Sequence, residues 1–363
     1  MVEEHSRHGA RFAGANKPEW VRLVNAMDRM RATLAGEPVT RPLNFDLMMT
    51  FAAHHAGRTL SDYYLDYRAL CEANFAVVED FGIDVVQAIS DPYREAADLG
   101  SLVEFPHDGL PMLKTALLAD RTDLASLSPV DPADGARMSD RLAAVREFAG
   151  QVRGEVPILG WVEGALAEAA HLRGVSTLLT DLYDEPDWVK ELLDFCVEQA
   201  IAFATAQIDA GADIIGVGDA IASQVSPNMY RRFALPYEQR LVTAIHDRGA
   251  LARLHICGDT SKLLADIATT GADIIDVDWM VPMKAAAAAF IGAGPCGNFD
   301  PVGVLLQGSE DDVTAATLAC RTDGGPRFIS MAGCEVPDGT PPGNLLAQRR
   351  ALDVASAGDG PRP

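Results

Sequence analysis

Apolar residues fall into two kinds of stretch along the chain. Short continuous runs occupy 42–47, 83–89, 156–162, 213–218, 250–256, 273–278, 295–299 and 327–332. Each is of strand length, and several end at Gly or Pro. Between them the spacing becomes helical. From 63 to 81, Tyr64, Leu65, Ala69, Leu70, Ala73 and Val77 mark one face, and Gly82 closes the element. Helices are predicted likewise at 18–35 (Pro18 in the first turn, Gly36 past the end), 138–150, 165–182, 186–210, 227–248, 282–291 and 310–321. The run Gly-Ala-Asp-Ile-Ile at 211 recurs at 271, each time after a helix and opening a strand.

Strands that are continuously apolar rather than alternating belong to a parallel sheet covered on both faces. Eight of them alternating with helices predict a closed (β/α)8 TIM barrel. A doubly wound open sheet is the alternative, though no Gly-rich dinucleotide or P-loop signature follows the first strand. One catalytic domain is expected over 1–355, with a helical extension at 1–40 and loops and a helix inserted at 92–155. The tail 356–363 is expected to be flexible.

Composition narrows the partners more than the fold. At 48% hydrophobic and 23% charged residues the chain is ordinary for a soluble protein, yet its net charge is −22. That balance disfavours nucleic acid or an anionic membrane as the main partner. The N-terminus is polar rather than a signal sequence, and the Ala-rich stretch at 284–290 is too short to span a bilayer. Six scattered cysteines suit a reducing cytoplasm.

In a barrel, chemistry sits where the strands end. Those ends carry Asp91, Glu163, Asp219, His255 with Cys257, Asp278 with Trp279, Asn298 with Asp300, and Cys334. His255 and Cys257, two apart on an extended segment, point to one side. With Cys334 they offer two thiolates and an imidazole, a set that suits zinc and leaves one position open, as in catalytic sites. Glu163 is the candidate fourth ligand, or else a turn carboxylate. Asp and Asn at strand ends also cap helices, and for Asp300 before Pro301 capping is an equal reading. Cys71 and Cys196 read as core, Cys296 and Cys320 are unassigned, and His54 with His55 reads as an ordinary pair.

Several stretches resemble the uroporphyrinogen decarboxylase superfamily, and within it the zinc-dependent corrinoid methyltransferases. They are Gly160-Trp-Val-Glu-Gly164, the segment 211–219, Ser226-Pro-Asn-Met-Tyr230 with Leu235-Pro-Tyr-Glu238, Leu254-His-Ile-Cys-Gly-Asp-Thr260, Gly297-Asn-Phe-Asp-Pro301 and Gly333-Cys-Glu-Val-Pro337. The resemblance covers the C-terminal two-thirds; residues 1–150 match loosely. It implies zinc on His255, Cys257 and Cys334, with Glu163 recruited. It also implies methyl transfer between a small methylated donor or acceptor and the cobalt of a cobalamin-type corrinoid. The corrinoid would ride on a separate protein docked over the barrel mouth, and a homodimer is the usual assembly. Glu163 or Asp219 would protonate a leaving group. Asp91, Asp278, Trp279, Asn298 and Asp300 would line the substrate and corrinoid site. Metal-free decarboxylation of an acidic tetrapyrrole is the second reading, weakened by His55 where the decarboxylase motif has Arg and by the lack of an Arg cluster. A non-catalytic corrinoid or tetrapyrrole binder is the third.

Overall fold

The computed structural model describes residues 25–120 and 124–354. The start of the first predicted helix and the tail 356–363 lie outside them. The main sheet has seven parallel strands in the order β1-β4-β5-β6-β7-β8-β9. These are β1 (Val86–Gln87), β4 (Ile158–Glu163), β5 (Ile214–Gly218), β6 (Leu251–His255), β7 (Ile274–Val277), β8 (Gly294–Phe299) and β9 (Ile329–Ala332). The sheet is curled and α-helices alternate with its strands, so an α/β fold is present. No helix among the described residues is long and apolar enough to cross a membrane.

Register aligns the functional end of the sheet. Glu163 pairs with Gly218, and Gly218 with His255, so three strand ends stand in one row. Gly216 and Gly218 are there for space: a Cβ on either would run into the Trp161 ring on β4. That explains the Ile-Gly-Val-Gly spelling of β5.

The expected first strand is not regular. Segment 42–47 makes a single bridge, Asn44 to Ser330 of β9, with Phe45 N–H donating to Ser330 O at 2.9 Å. On its other side Asp84 N–H donates to Asn44 O at 2.9 Å. Side chains take over the remaining backbone groups here. Asp84 accepts from Asn44 N–H (2.9 Å) and from both Arg41 nitrogens (2.8 Å), and Asp46 accepts from Ala332 N–H (2.7 Å). A ladder is therefore replaced by carboxylate bonds, which apolar patterning does not reveal.

Other departures have local causes. The helix expected at 165–182 divides into Ala165–Arg173 and Val175–Asp184 at Gly174 (φ +90°). The one at 227–248 divides into Pro227–Phe233 and Leu235–Asp247, with Pro236 in the first turn of the second. The 92–155 insertion contains an unforeseen antiparallel hairpin, β2 (Leu102–Glu104) with β3 (Met112–Thr115), and Pro342–Asp353 is an unforeseen helix.

Candidate metal centre

β6 delivers His255 at its last position, and the chain continues through Ile256 to Cys257 before turning at Gly258 (φ +98°). Asp278 Oδ2 accepts from Gly258 N–H at 2.9 Å and so fixes that turn to the end of β7. β9 runs into Gly333 and Cys334, where a Cβ on Gly333 would strike the Trp279 backbone. Close packing of these two turns brings the second thiol alongside the first.

The three ligand atoms converge. His255 Nε2 lies 2.9 Å from Cys257 Sγ and 3.8 Å from Cys334 Sγ, and the two sulfurs are 3.6 Å apart. Tetrahedral zinc, with bonds of about 2.3 Å to sulfur and about 2.0 Å to nitrogen, sets its ligand atoms roughly 3.5–3.8 Å apart. Two of the three separations match, and the third needs only a modest opening. Among the described residues this is the one group of three or more His, Cys, Asp or Glu side chains whose ligand atoms gather within 4.8 Å.

A buried relay orients the imidazole. His255 Nδ1 is 2.7 Å from Asp276 Oδ2, and Asp276 Oδ1 accepts from Arg253 Nε at 2.9 Å. The carboxylate holds the proton on Nδ1 and turns the Nε2 lone pair toward the thiols. Without a metal the trio shares protons. The bond from Cys257, assisted by His255, brings the Cys334 thiol down to about 4, while the same contact and burial push Cys257 up. Against the opposing effect of burial, Cys257 and Asp276 raise His255.

The trio opens onto a cavity of about 180 Å³. Leu47, Met49, Ile89 and Trp161 give it apolar walls; Asp91, Arg94, Glu163 and Glu335 supply the polar ones. Glu163 Oε1 accepts from Arg94 Nη2 at 2.9 Å, and its backbone N–H donates to Glu95 at 3.0 Å. Burial outweighs Arg94 and pushes the Glu163 carboxyl up to about 8. Glu163 thus faces the cavity but stands outside the tight ligand group. Asp91 also lines the cavity; despite burial, Arg137 and Arg94 hold it below the usual carboxylate range.

The other predicted site residues lie outside the cavity wall. Asp219 is fully buried and not part of the cavity wall; its Oδ1 accepts from Ala167 N–H at 2.9 Å in the first turn of Ala165–Arg173. Burial raises it to about 7. Besides Gly258, Asp278 accepts from Met280 N–H at 3.2 Å. Asn298 donates to the carbonyls of Asp278 (3.1 Å) and Val281, and Asp300 caps 301–306 through Val302 and Gly303 N–H, each at 2.9 Å. Trp279 stands half exposed beside Met280. Cys71, Cys196 and Cys296 are buried, and Cys320 Sγ rests 3.5 Å from Asn298.

Sequence reading passed over Arg253 and Asp276, charges inside otherwise apolar strands, which was the available signal. It also passed over Arg94 and Glu335. Glu335 Oε1 accepts from Thr50 N–H and Oγ1, each at 2.8 Å, and ties the Cys334 turn to helix Thr50–His55.

The family described as uroporphyrinogen decarboxylase (URO-D) matches residues 25–353. A methylcobamide:CoM methyltransferase MtbA of Methanosarcina mazei is 35% identical over 214 residues, 58% of this chain and 62% of that protein. The MtbA of Methanosarcina acetivorans is 34% identical over 206 residues, covering 60% of its length, so the chain spans about three-fifths of these curated relatives. A uroporphyrinogen decarboxylase of Nocardia farcinica is 27% identical over 365 residues, 93% of this chain and 98% of its own. The solved structure of a methyltransferase from Methanosarcina mazei shares the fold, with a TM-score of 0.83 at 23% identity over 91% of this chain and 98% of that one. The family match takes in the N-terminal region that the motifs alone left loose, and from residue 25 to residue 353 the chain belongs to the uroporphyrinogen decarboxylase family.

Proposed function

We propose that the protein transfers a methyl group between the cobalt of a corrinoid and the sulfur or oxygen of a small molecule, using zinc held by His255, Cys257 and Cys334. The observation that carries this reading is the convergence of those three ligand atoms from two separate strand ends at the wall of one cavity. The methylcobamide:CoM methyltransferases among its relatives support it. The chain is read as one catalytic unit on a (β/α)8 barrel, with segment 42–47 as the irregular eighth stave.

Zinc bound there would supply Lewis acidity, favouring the thiolate of a thiol or drawing charge from an ether oxygen. The protein does the rest. Asp276 keeps the His255 lone pair aimed, and the two thiolates set the charge of the centre. Glu163, neutral up to about pH 8, gives or takes the proton that accompanies transfer. The apolar walls exclude water and align the reacting group toward the mouth. There the exposed Trp279 and Met280 would meet a corrinoid-carrying partner. The decarboxylase reading requires free cations for an acidic tetrapyrrole, whereas the buried Arg94 and Arg137 are already engaged by Glu163 and Asp91.

The test is zinc-replete protein with methylcobalamin and a panel of small thiols, and with Co(I) corrinoid and methyl ethers. Zinc-dependent change in the corrinoid spectrum in either direction is expected. No turnover in both directions across the panel would refute the proposal.

A further inference from the structure

The wall of the cavity restricts the small molecule as strongly as the metal ligands do. Building on the methyl-transfer reading, we infer that the substrate is uncharged with a short apolar body, and that thiols or ethers carrying a sulfonate, carboxylate or phosphate tail are rejected.

The argument is one of charge and room. Apart from His255, Arg94 is the one cationic side chain among the described residues that line the cavity. It is fully buried and its guanidinium is already surrounded. One nitrogen donates to the Asp91 carbonyl, a second to Glu163 at 2.9 Å, and the third stands 3.6 Å from the Glu95 carboxylate. Arg137, behind Asp91, is bound to that carboxylate and to the Tyr64 carbonyl, with Phe105 under its plane at 4.9 Å. Each guanidinium therefore faces a carboxylate other than Glu163, Asp91 for Arg137 and Glu95 for Arg94, so both charges stay balanced when Glu163 is neutral. Facing the same space are Asp91, Glu163 and Glu335. With Asp91 ionised beside Arg94, protonating both Glu163 and Glu335 leaves the wall neutral and ionising either makes it negative; neither state is positive. At the centre itself two thiolates balance a divalent zinc, so a substrate thiolate already adds one negative charge. A second, on an anionic tail, would be desolvated beside carboxylates with no counter-ion.

The rest of the wall favours the opposite kind of ligand. Leu47, Met49, Ile89 and Trp161 present hydrocarbon and one aromatic face. A volume of about 180 Å³ falls below the roughly 300–1,000 Å³ of clefts that take drug-sized ligands. It suits a single ring or a short alkyl chain next to the heteroatom.

The experiment compares binding of butane-1-thiol and 3-mercaptopropane-1-sulfonate to the full-length zinc-loaded protein by calorimetry. The thiol-to-metal absorption of cobalt-substituted protein serves as a second readout. Wild type is expected to bind the neutral thiol at least about tenfold more tightly. Met49→Lys, which adds a free cation to the wall, is expected to improve binding of the sulfonate at least about fivefold with zinc content unchanged. Equal or tighter binding of the sulfonate by wild type overturns the inference, and that comparison decides even if the variant fails to fold. If neither thiol binds to protein that does hold zinc, this inference falls, while the methyl-transfer reading is decided separately by the turnover panel with thiols and ethers.

Discussion

Asp276→Asn separates what the fold needs from what the metal needs. The Asp276 carboxylate is buried and accepts on both oxygens, from Arg253 Nε at 2.9 Å and from His255 Nδ1 at 2.7 Å. An amide has one acceptor oxygen, so one of the two donors must face an N–H instead. If Arg253 loses its partner, a fully buried guanidinium is left without its ion pair, a loss of about 3–5 kcal/mol when a buried pair is broken. If His255 loses it, the ring is no longer held as the Nδ1–H tautomer, and zinc affinity falls by about 10–100-fold. Denaturant unfolding of metal-stripped protein reads the first effect, and competition with a chromophoric zinc chelator reads the second. Adding Arg253→Met to Asp276→Asn removes the orphaned charge, so stability is expected to recover while affinity stays low. An Asp276→Asn variant that keeps zinc affinity within about threefold of wild type would refute the claim that this carboxylate tunes the site.

Three further outcomes are expected. In metal-free protein near neutral pH, Cys334, whose thiol is lowered to about 4, reacts first with iodoacetamide by peptide mass mapping, buried Cys71 and Cys196 react last, and zinc protects Cys334. Glu163→Gln retains zinc by elemental analysis but loses about 10²–10⁴-fold in methyl transfer; the wild-type rate falls above about pH 8 as the raised carboxyl ionises, a limb the variant lacks. The His54 ring has both nitrogens 2.8 Å from carboxylates, Asp108 and Asp338, and those bonds favour its doubly protonated form and raise its pKa. Its contribution to stability is complete below the ordinary histidine value and is lost as pH rises through the raised one, so His54→Gln should flatten stability against pH in that window.

What the sequence revealed follows from physics that is local. Seven strands run largely apolar because both faces are covered, and each falls on its predicted run to within one residue. Segment 42–47 was counted with them, but Asp84, Asn44 and Asp46 replace its ladder with side-chain bonds, two of them between residues far apart in the chain. The approach of Cys334 to His255 and Cys257 was legible because all three end apolar runs. Which strand-end acids face the cavity was not. Asp91 and Glu163 reach it, whereas Asp219, equally placed in sequence, turns to the first turn of Ala165–Arg173. That choice depends on where the helix after the neighbouring strand β4 starts. The Asp276–Arg253 relay needs cross-strand register, and no single run of sequence contains it.

Zinc stoichiometry tests the central claim most directly. Elemental analysis of metal-replete wild-type protein beside Cys257→Ser and Cys334→Ser, with circular dichroism to confirm folding, is expected to give about one zinc per chain in wild type and a large loss in each folded variant. Folded wild-type protein without zinc, or variants that keep it fully, would contradict a shared centre built from the ends of β6 and β9.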